Sequence, residues 1–129
     1  MMDQPSALEL VTAVREFIEK HAMPELQGRT AFHARVATNA LAIVARELEQ
    51  AGAANAAESE RLKSLLGVDD TLANQNRELC RRIREGNIPL DDPALAAHLC
   101  KTTLAKVAID QPTYSGYIHS PLRRLESSG

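Results

Sequence analysis

The sequence predicts an all-α protein, a compact bundle of four to five helices with the second and fifth at its centre. Three observations carry this prediction. Apolar residues recur at helical spacing through most of the chain, capping signals punctuate the recurring stretches, and no segment alternates between hairpin turns as a strand would. The 44% apolar fraction includes two Phe, two Tyr and no Trp. The core is therefore expected to be Leu, Ile, Val and Ala, which favours close helix packing.

Ser6 and Glu9 have the spacing of a capping box and open the first helix. On it Leu10, Val11, Val14, Phe17, Ile18 and His21 share one side, and Met23-Pro24 should end it. A second helix is predicted from about Thr30 to Ala51, with Phe32, Val36, Ala37, Ala40, Leu41, Ile43, Val44 and Leu48 covering most of its circumference. Gly52 and Ala53-Ala54-Asn55 are read as a break, followed by a short third helix, Glu58 to Leu66, closed by Gly67. Asp69 or Asp70 caps a fourth helix with Leu72, Leu79, Cys80 and Ile83 as its buried stripe, ending at Gly86. Asp92-Pro93 opens the fifth, which runs to about Asp110 and stops before Pro112. The expected organisation is one helical domain over 1–112 and an irregular tail over 113–129, docked or mobile, with Tyr117 and Ile118 favouring docking.

Fifteen Lys plus Arg against seventeen Asp plus Glu give a net charge of −2, which supplies no positive field for nucleic acid. No apolar run approaches the roughly 20 residues of a membrane span, and the start of the chain lacks the features of a secretory signal. Cys80 and Cys100 have neither zinc-site spacing nor the density of a disulfide scaffold. The expectation is a cytoplasmic protein that binds neither nucleic acid nor membrane.

Strong catalytic signatures are missing. The residues three before His21, His33, His98 and His119 are Ile18, Thr30, Leu95 and Gly116, so the Glu-x-x-His spacing of di-iron bundles is absent. No metal or cofactor is expected, and no catalytic residue can be nominated. The two cysteines are read as packed thiols and the histidines as structural. Arg77, Arg81 and Arg84 lie on one edge of the fourth helix and could hold a phosphate or carboxylate; a solvated face helped by Glu78 and Glu85 explains them too. On the second helix, Arg35, Asn39, Arg46 and Glu47 would be partly buried if that helix is central, and would form either a structural network or a binding cluster. Arg35 and Arg46 stand about 16 Å apart along the axis, too far to share one small anion.

The run Gly28-Arg29-Thr30-Ala31-Phe32-His33-Ala34-Arg35-Val36-Ala37-Thr38-Asn39-Ala40-Leu41, continued by Arg46-Glu47-Leu48, resembles the signature segment of a bacterial family of small helical proteins of unknown function. Ile83-Arg84-Glu85-Gly86 and the stretch from Leu104 to Pro112 fit the same pattern, and the resemblance extends over most of Pro5 to Tyr114 and leaves the tail uncovered. Where that pattern commonly has Asp-Asn-Pro, this chain reads Asp110-Gln111-Pro112. Family members are typically encoded beside acyl-CoA dehydrogenases and aminoglycoside-phosphotransferase-like kinases, so the resemblance implies a supporting role in acyl-CoA or hydroxy-acid breakdown. It carries over no catalytic residue. Two functions follow as expectations. One is a non-enzymatic accessory protein that docks on an acyl-CoA dehydrogenase-like or phosphotransferase-like partner, with self-association into a homodimer. The other is a binder of, or enzyme for, an anionic acyl or phosphorylated metabolite, anchored by arginines.

Overall fold

The computed structural model describes residues 3–126, with side chains for 3–124; Met1, Met2 and the Ser127-Ser128-Gly129 end of the predicted tail lie outside the described residues. The described residues form six α-helices and no strand: α1 (Ala7–Phe17), α2 (Gly28–Leu66), α3 (Leu72–Arg84), α4 (Pro93–Asp110), α5 (Ser115–Ile118) and α6 (Pro121–Glu126). The all-α class holds. The chain divides into two compact units, one up to Ala51 and one from Gly52 onward, with the boundary inside α2.

Local signals placed most helix ends. The Ser6 backbone N–H donates to Glu9 Oε2 at 2.7 Å and the Glu9 N–H to Ser6 Oγ at 3.2 Å, a complete capping box. Asp92 accepts from the Leu95 N–H at 2.9 Å, with Pro93 in the first turn of α4. Gly67 and Gly86 close α2 and α3 with φ of 68° and 73°, backbone that a Cβ would strain.

Three expectations about helix bounds and caps need correction. First, the break at Gly52 does not form; the predicted second and third helices are one 39-residue α2. A lone helical Gly costs only about 1 kcal/mol relative to Ala. Here it is flanked by Ala51, Ala53, Ala54, Ala56 and Ala57, strong helix formers with no proline among them. Second, α1 does not run straight to Met23. It ends at Phe17, and the backbone widens into a π-turn over Ile18–Ala22 and tightens into a 3₁₀ turn over Met23–Glu25 that holds Pro24. Third, Thr71 caps α3, accepting from the Asn74 N–H at 3.3 Å. Asp70 supports it from one residue earlier by accepting from the Thr71 N–H and Asn74 Nδ2. Those two bonds hold the Asp70 carboxyl below its ordinary pKa. The tail is also less irregular than expected, since α5 and α6 occupy part of it.

In the unit up to Ala51, Thr38 alone among the described residues is buried. The Thr30–Ala51 stretch is therefore not enclosed as predicted: its covered side carries Ala31, Ala34, Leu41, Ala42 and Ala45 around Thr38, while Phe32, Val36, Val44 and Leu48 are exposed. A wide apolar arc records which residues are apolar, not what lies over them.

The hydrophobic core lies in the unit from Gly52 onward. Leu62, Leu66, Leu79, Ile88 and Leu95 form it, with Leu65, Val68, Leu72 and Ile83 packed at its edge. Gln75 is fully buried among them. Its Nε2 donates to the Val68 carbonyl at 3.0 Å and the Ser59 carbonyl at 3.4 Å, and its Oε1 accepts from Ser59 Oγ at 2.8 Å. Both polar atoms of that side chain are thus used to join α3 to Ser59 of α2 and to the connection that follows α2. Asn76 Nδ2 adds a 2.9 Å bond to buried Glu58. Cys80 and Cys100 are both exposed free thiols, which corrects the packed-thiol reading. Cys80 follows the buried Leu79 by one residue, a turn of about 100° that carries it off the stripe.

Candidate functional site

Two features of the surface could carry function. The first is a ridge on the early half of α2. Phe32, Val36, Ala40, Val44 and Leu48 follow one another at intervals of four, each displaced about 40° around the helix from the last, so they form one continuous row. Phe32 is 58% exposed, Val36 50%, Val44 44% and Leu48 47%, and Ala40 between them is exposed as well. His33 and Glu47 flank the row, both exposed. His33 Nε2 accepts from Arg29 Nε at 3.3 Å, and its ring meets that of Phe32 edge-on at 5.6 Å. Thr38 Oγ1 donates to the Arg35 carbonyl at 2.8 Å on the covered side.

Of the residues nominated on this helix, Arg35, Asn39 and Glu47 are exposed and Arg46 is half-buried. Glu47 lies beside the ridge, whereas Arg35, Asn39 and Arg46 cluster on another side of the helix. The α3 arginines are engaged locally. Arg77 Nη1 donates to Asn74 Oδ1 at 2.7 Å, and Arg81 pairs with Glu78 at 2.7 Å and also with Glu85. Arg82, which the sequence reading passed over, donates to the same Glu78 at 2.6 Å. Hydrogen bonds from Arg81 and Arg82 pull the Glu78 carboxyl down to about 2, so the arginine edge is largely neutralised by its own helix. Arg84 is exposed.

The second feature was not nominated from sequence. A hollow of about 460 Å³ opens between the later part of α2 and α4, with Arg61, Ser64 and Glu60 on one wall and His98, Lys101 and Ala97 on the other. His98 is 3% exposed. Among the described residues, the two buried side-chain nitrogens without a hydrogen-bond partner are Arg61 Nε and His98 Nδ1, and both belong to residues lining this hollow. Arg61 Nη2 donates to Thr102 Oγ1 at 3.1 Å, which fixes the guanidinium against α4. Burial, reinforced by the Arg61 charge and opposed by Glu58, lowers the His98 pKa and favours the neutral imidazole. A smaller hollow of about 230 Å³ shares Arg61 and Lys101 and is otherwise walled chiefly by Ala54, Ala57, Leu104 and Tyr117. Arg123 Cζ stacks 4.6 Å above the Tyr117 ring at its edge. In the sequence the signal was the appearance of His98, Lys101 and Thr102 inside a wide apolar arc. It could be read only once Arg61 was known to lie opposite.

No group of three or more His, Cys, Asp or Glu side chains among the described residues could hold a metal ion. No helix among them is long and apolar enough to cross a membrane. Compared with known families, residues 24–114 match one described as Domain of unknown function (DUF6285). Neither the curated proteins nor the solved structures yield a match.

Proposed function

The chain belongs to that domain family of unknown function, and from this premise we propose that it is a non-enzymatic accessory module that pairs with a second copy of itself through the α2 ridge. The observation that carries the reading is the ridge's self-complementarity. Phe32-Val36-Ala40-Val44-Leu48 is symmetric in size about Ala40, bulky at both ends and small in the middle. A two-fold axis at Ala40 relating antiparallel helices would set Val36 against Val44 of the other copy, with Phe32 and Leu48 at the margins of the contact. It would also bring Ala37 opposite Ile43 and His33 opposite Glu47. Rows of residues four apart pack into each other at crossing angles near −50°, and a small residue at the crossing point lets the backbones approach. A surface patch that is its own complement is the requirement of a two-fold dimer.

The area agrees with this reading. The exposed portions of Phe32, Val36, Val44 and Leu48 amount to on the order of 350 Å². Val36 and Val44 would be covered most and the two ends of the row in part, a contribution to the apolar share of the roughly 800 Å² that each partner brings to a standard interface. Support for a role in acyl-CoA or hydroxy-acid breakdown, beside an acyl-CoA dehydrogenase-like or phosphotransferase-like partner, comes from the sequence resemblance. Co-purification with those neighbours is its assay.

Size-exclusion chromatography with light scattering tests the pairing. The wild type should have twice the chain mass at about 100 µM and shift toward monomer on dilution. Ala40→Arg is exposed in the single chain and should fold, but in the dimer would place two positive charges face to face and give monomer at the same concentration. A wild type that stays monomeric throughout, or an Ala40→Arg variant as dimeric as the wild type, would refute the reading.

A further inference from the structure

We propose that the hollow between α2 and α4 binds a small anion carrying an apolar extension, its charge held by Arg61, His98 and Lys101. The argument starts from satisfaction of buried polar groups. An unpaired buried N–H forfeits the hydrogen bond it made to water, and folded proteins leave few of them. The other buried polar side chains of this unit find partners: Gln75 in Ser59 and Val68, and Glu58 in Asn76. Arg61 Nε and His98 Nδ1 do not, and they stand on facing helices around one hollow. Both can donate, Arg61 always and His98 as its Nδ1–H tautomer. The Arg61 guanidinium charge and the exposed Lys101 ammonium on the walls of one hollow, with the unpaired His98 ring beside them, are complementary to an oxyanion. Glu60 also lines the hollow and sets an upper limit on the negative charge it accepts.

The apolar part of the ligand follows from the second hollow. Arg61 and Lys101 line both spaces, and the smaller is walled by Ala54, Ala57, Leu104, Ala105 and Ala108. An anion gripped by Arg61 and Lys101 could therefore extend a hydrocarbon tail along these alanines. The larger hollow alone, about 460 Å³, falls within the range of small-molecule sites. The site lies wholly in the unit from Gly52 onward and is independent of the pairing proposed for the α2 ridge.

The test is a ¹H–¹⁵N NMR titration of the full chain with sodium acetate, sodium hexanoate and inorganic phosphate, each against sodium chloride at matched ionic strength. The proposal expects saturable shifts at the Arg61 Nε–H, His98 and Lys101 signals. Hexanoate binding more tightly than acetate marks a carboxylate with a tail; saturation by phosphate alone marks a phosphoryl head. Lys101→Ala, an exposed position that leaves the core intact, should weaken the saturating anion about 5-fold or more, as loss of a charge-assisted bond does. Lys106→Ala, on α4 outside both hollows, should not. Arg61→Gln should abolish binding, and the Lys101→Ala result stands if that variant does not fold. Shifts no different from chloride in every arm would overturn the proposal. An affinity unchanged by Lys101→Ala would overturn it equally.

Discussion

Replacing Gln75 offers the most direct measure of how the unit from Gly52 onward is held together. Its side chain is fully buried and makes three hydrogen bonds, two to the Val68 and Ser59 carbonyls and one from Ser59 Oγ. Gln75→Met keeps nearly the same volume and removes all three. The gain in apolar burial offsets part of the loss, but the Val68 carbonyl loses its side-chain donor, and a stranded buried polar group costs about 1–3 kcal/mol. The expected destabilisation is about 3 kcal/mol, or a melting temperature lower by about 10 °C for a chain of this size. Gln75→Glu adds a sign that packing alone would not produce. Its carboxyl would face two carbonyl oxygens, so burial would raise its folded-state pKa above the unfolded value of about 4.3. The protonated acid can still donate to Val68. Its stability should therefore be fully present below about pH 4.3 and fall as pH rises through the folded-state pKa, by up to about 1.4 kcal/mol per pH unit. Urea unfolding followed by circular dichroism at 222 nm, from pH 4 to pH 8, measures both variants against the wild type. A Gln75→Met within about 0.5 kcal/mol of the wild type would refute the hydrogen-bond argument. So would a Gln75→Glu whose deficit does not grow with pH.

Two further predictions rest on α2 and α3. Gly52 is helical with open space where a Cβ would stand, so Gly52→Ala should stabilise the chain by about 0.5–1 kcal/mol in thermal unfolding; destabilisation would mean that the helix breaks there after all. Glu78, held at about 2 against an ordinary 4.5 by Arg81 and Arg82, should contribute stability above pH 4.5 that is lost as pH falls toward 2. The advantage of the wild type over Glu78→Gln should shrink across that window in acid unfolding curves, and parallel curves would show that the ion pairs do not carry it.

How much was legible follows the range of the interaction concerned. Ser6 with Glu9, Asp92 with Leu95, and the left-handed glycines Gly67 and Gly86 act over three or four residues, so each could be read directly. Gly52 misled because a glycine is only a weak brake on a helix and its alanine neighbours outweigh it. Cys80 misled because one residue of helical rotation separates a covered position from a wet one.

The candidate sites divide in the same way. The α2 ridge was visible as an apolar repeat, yet the repeat reads the same for an enclosed helix as for one that lies open; what covers Phe32 or Leu62 is decided by other segments. Arg61 and His98 were individually ordinary, one in a short amphipathic stretch and the other in an apolar arc. Only folding puts them on facing helices, where neither ring nor guanidinium can reach enough partners. By itself the chain's order of residues determined the all-α class and those helix ends that carry a cap or a left-handed glycine, because backbone geometry and capping are local. The tertiary structure alone decided which apolar faces are covered and which buried nitrogens go unpaired, because burial and hydrogen-bond satisfaction depend on residues far away along the chain.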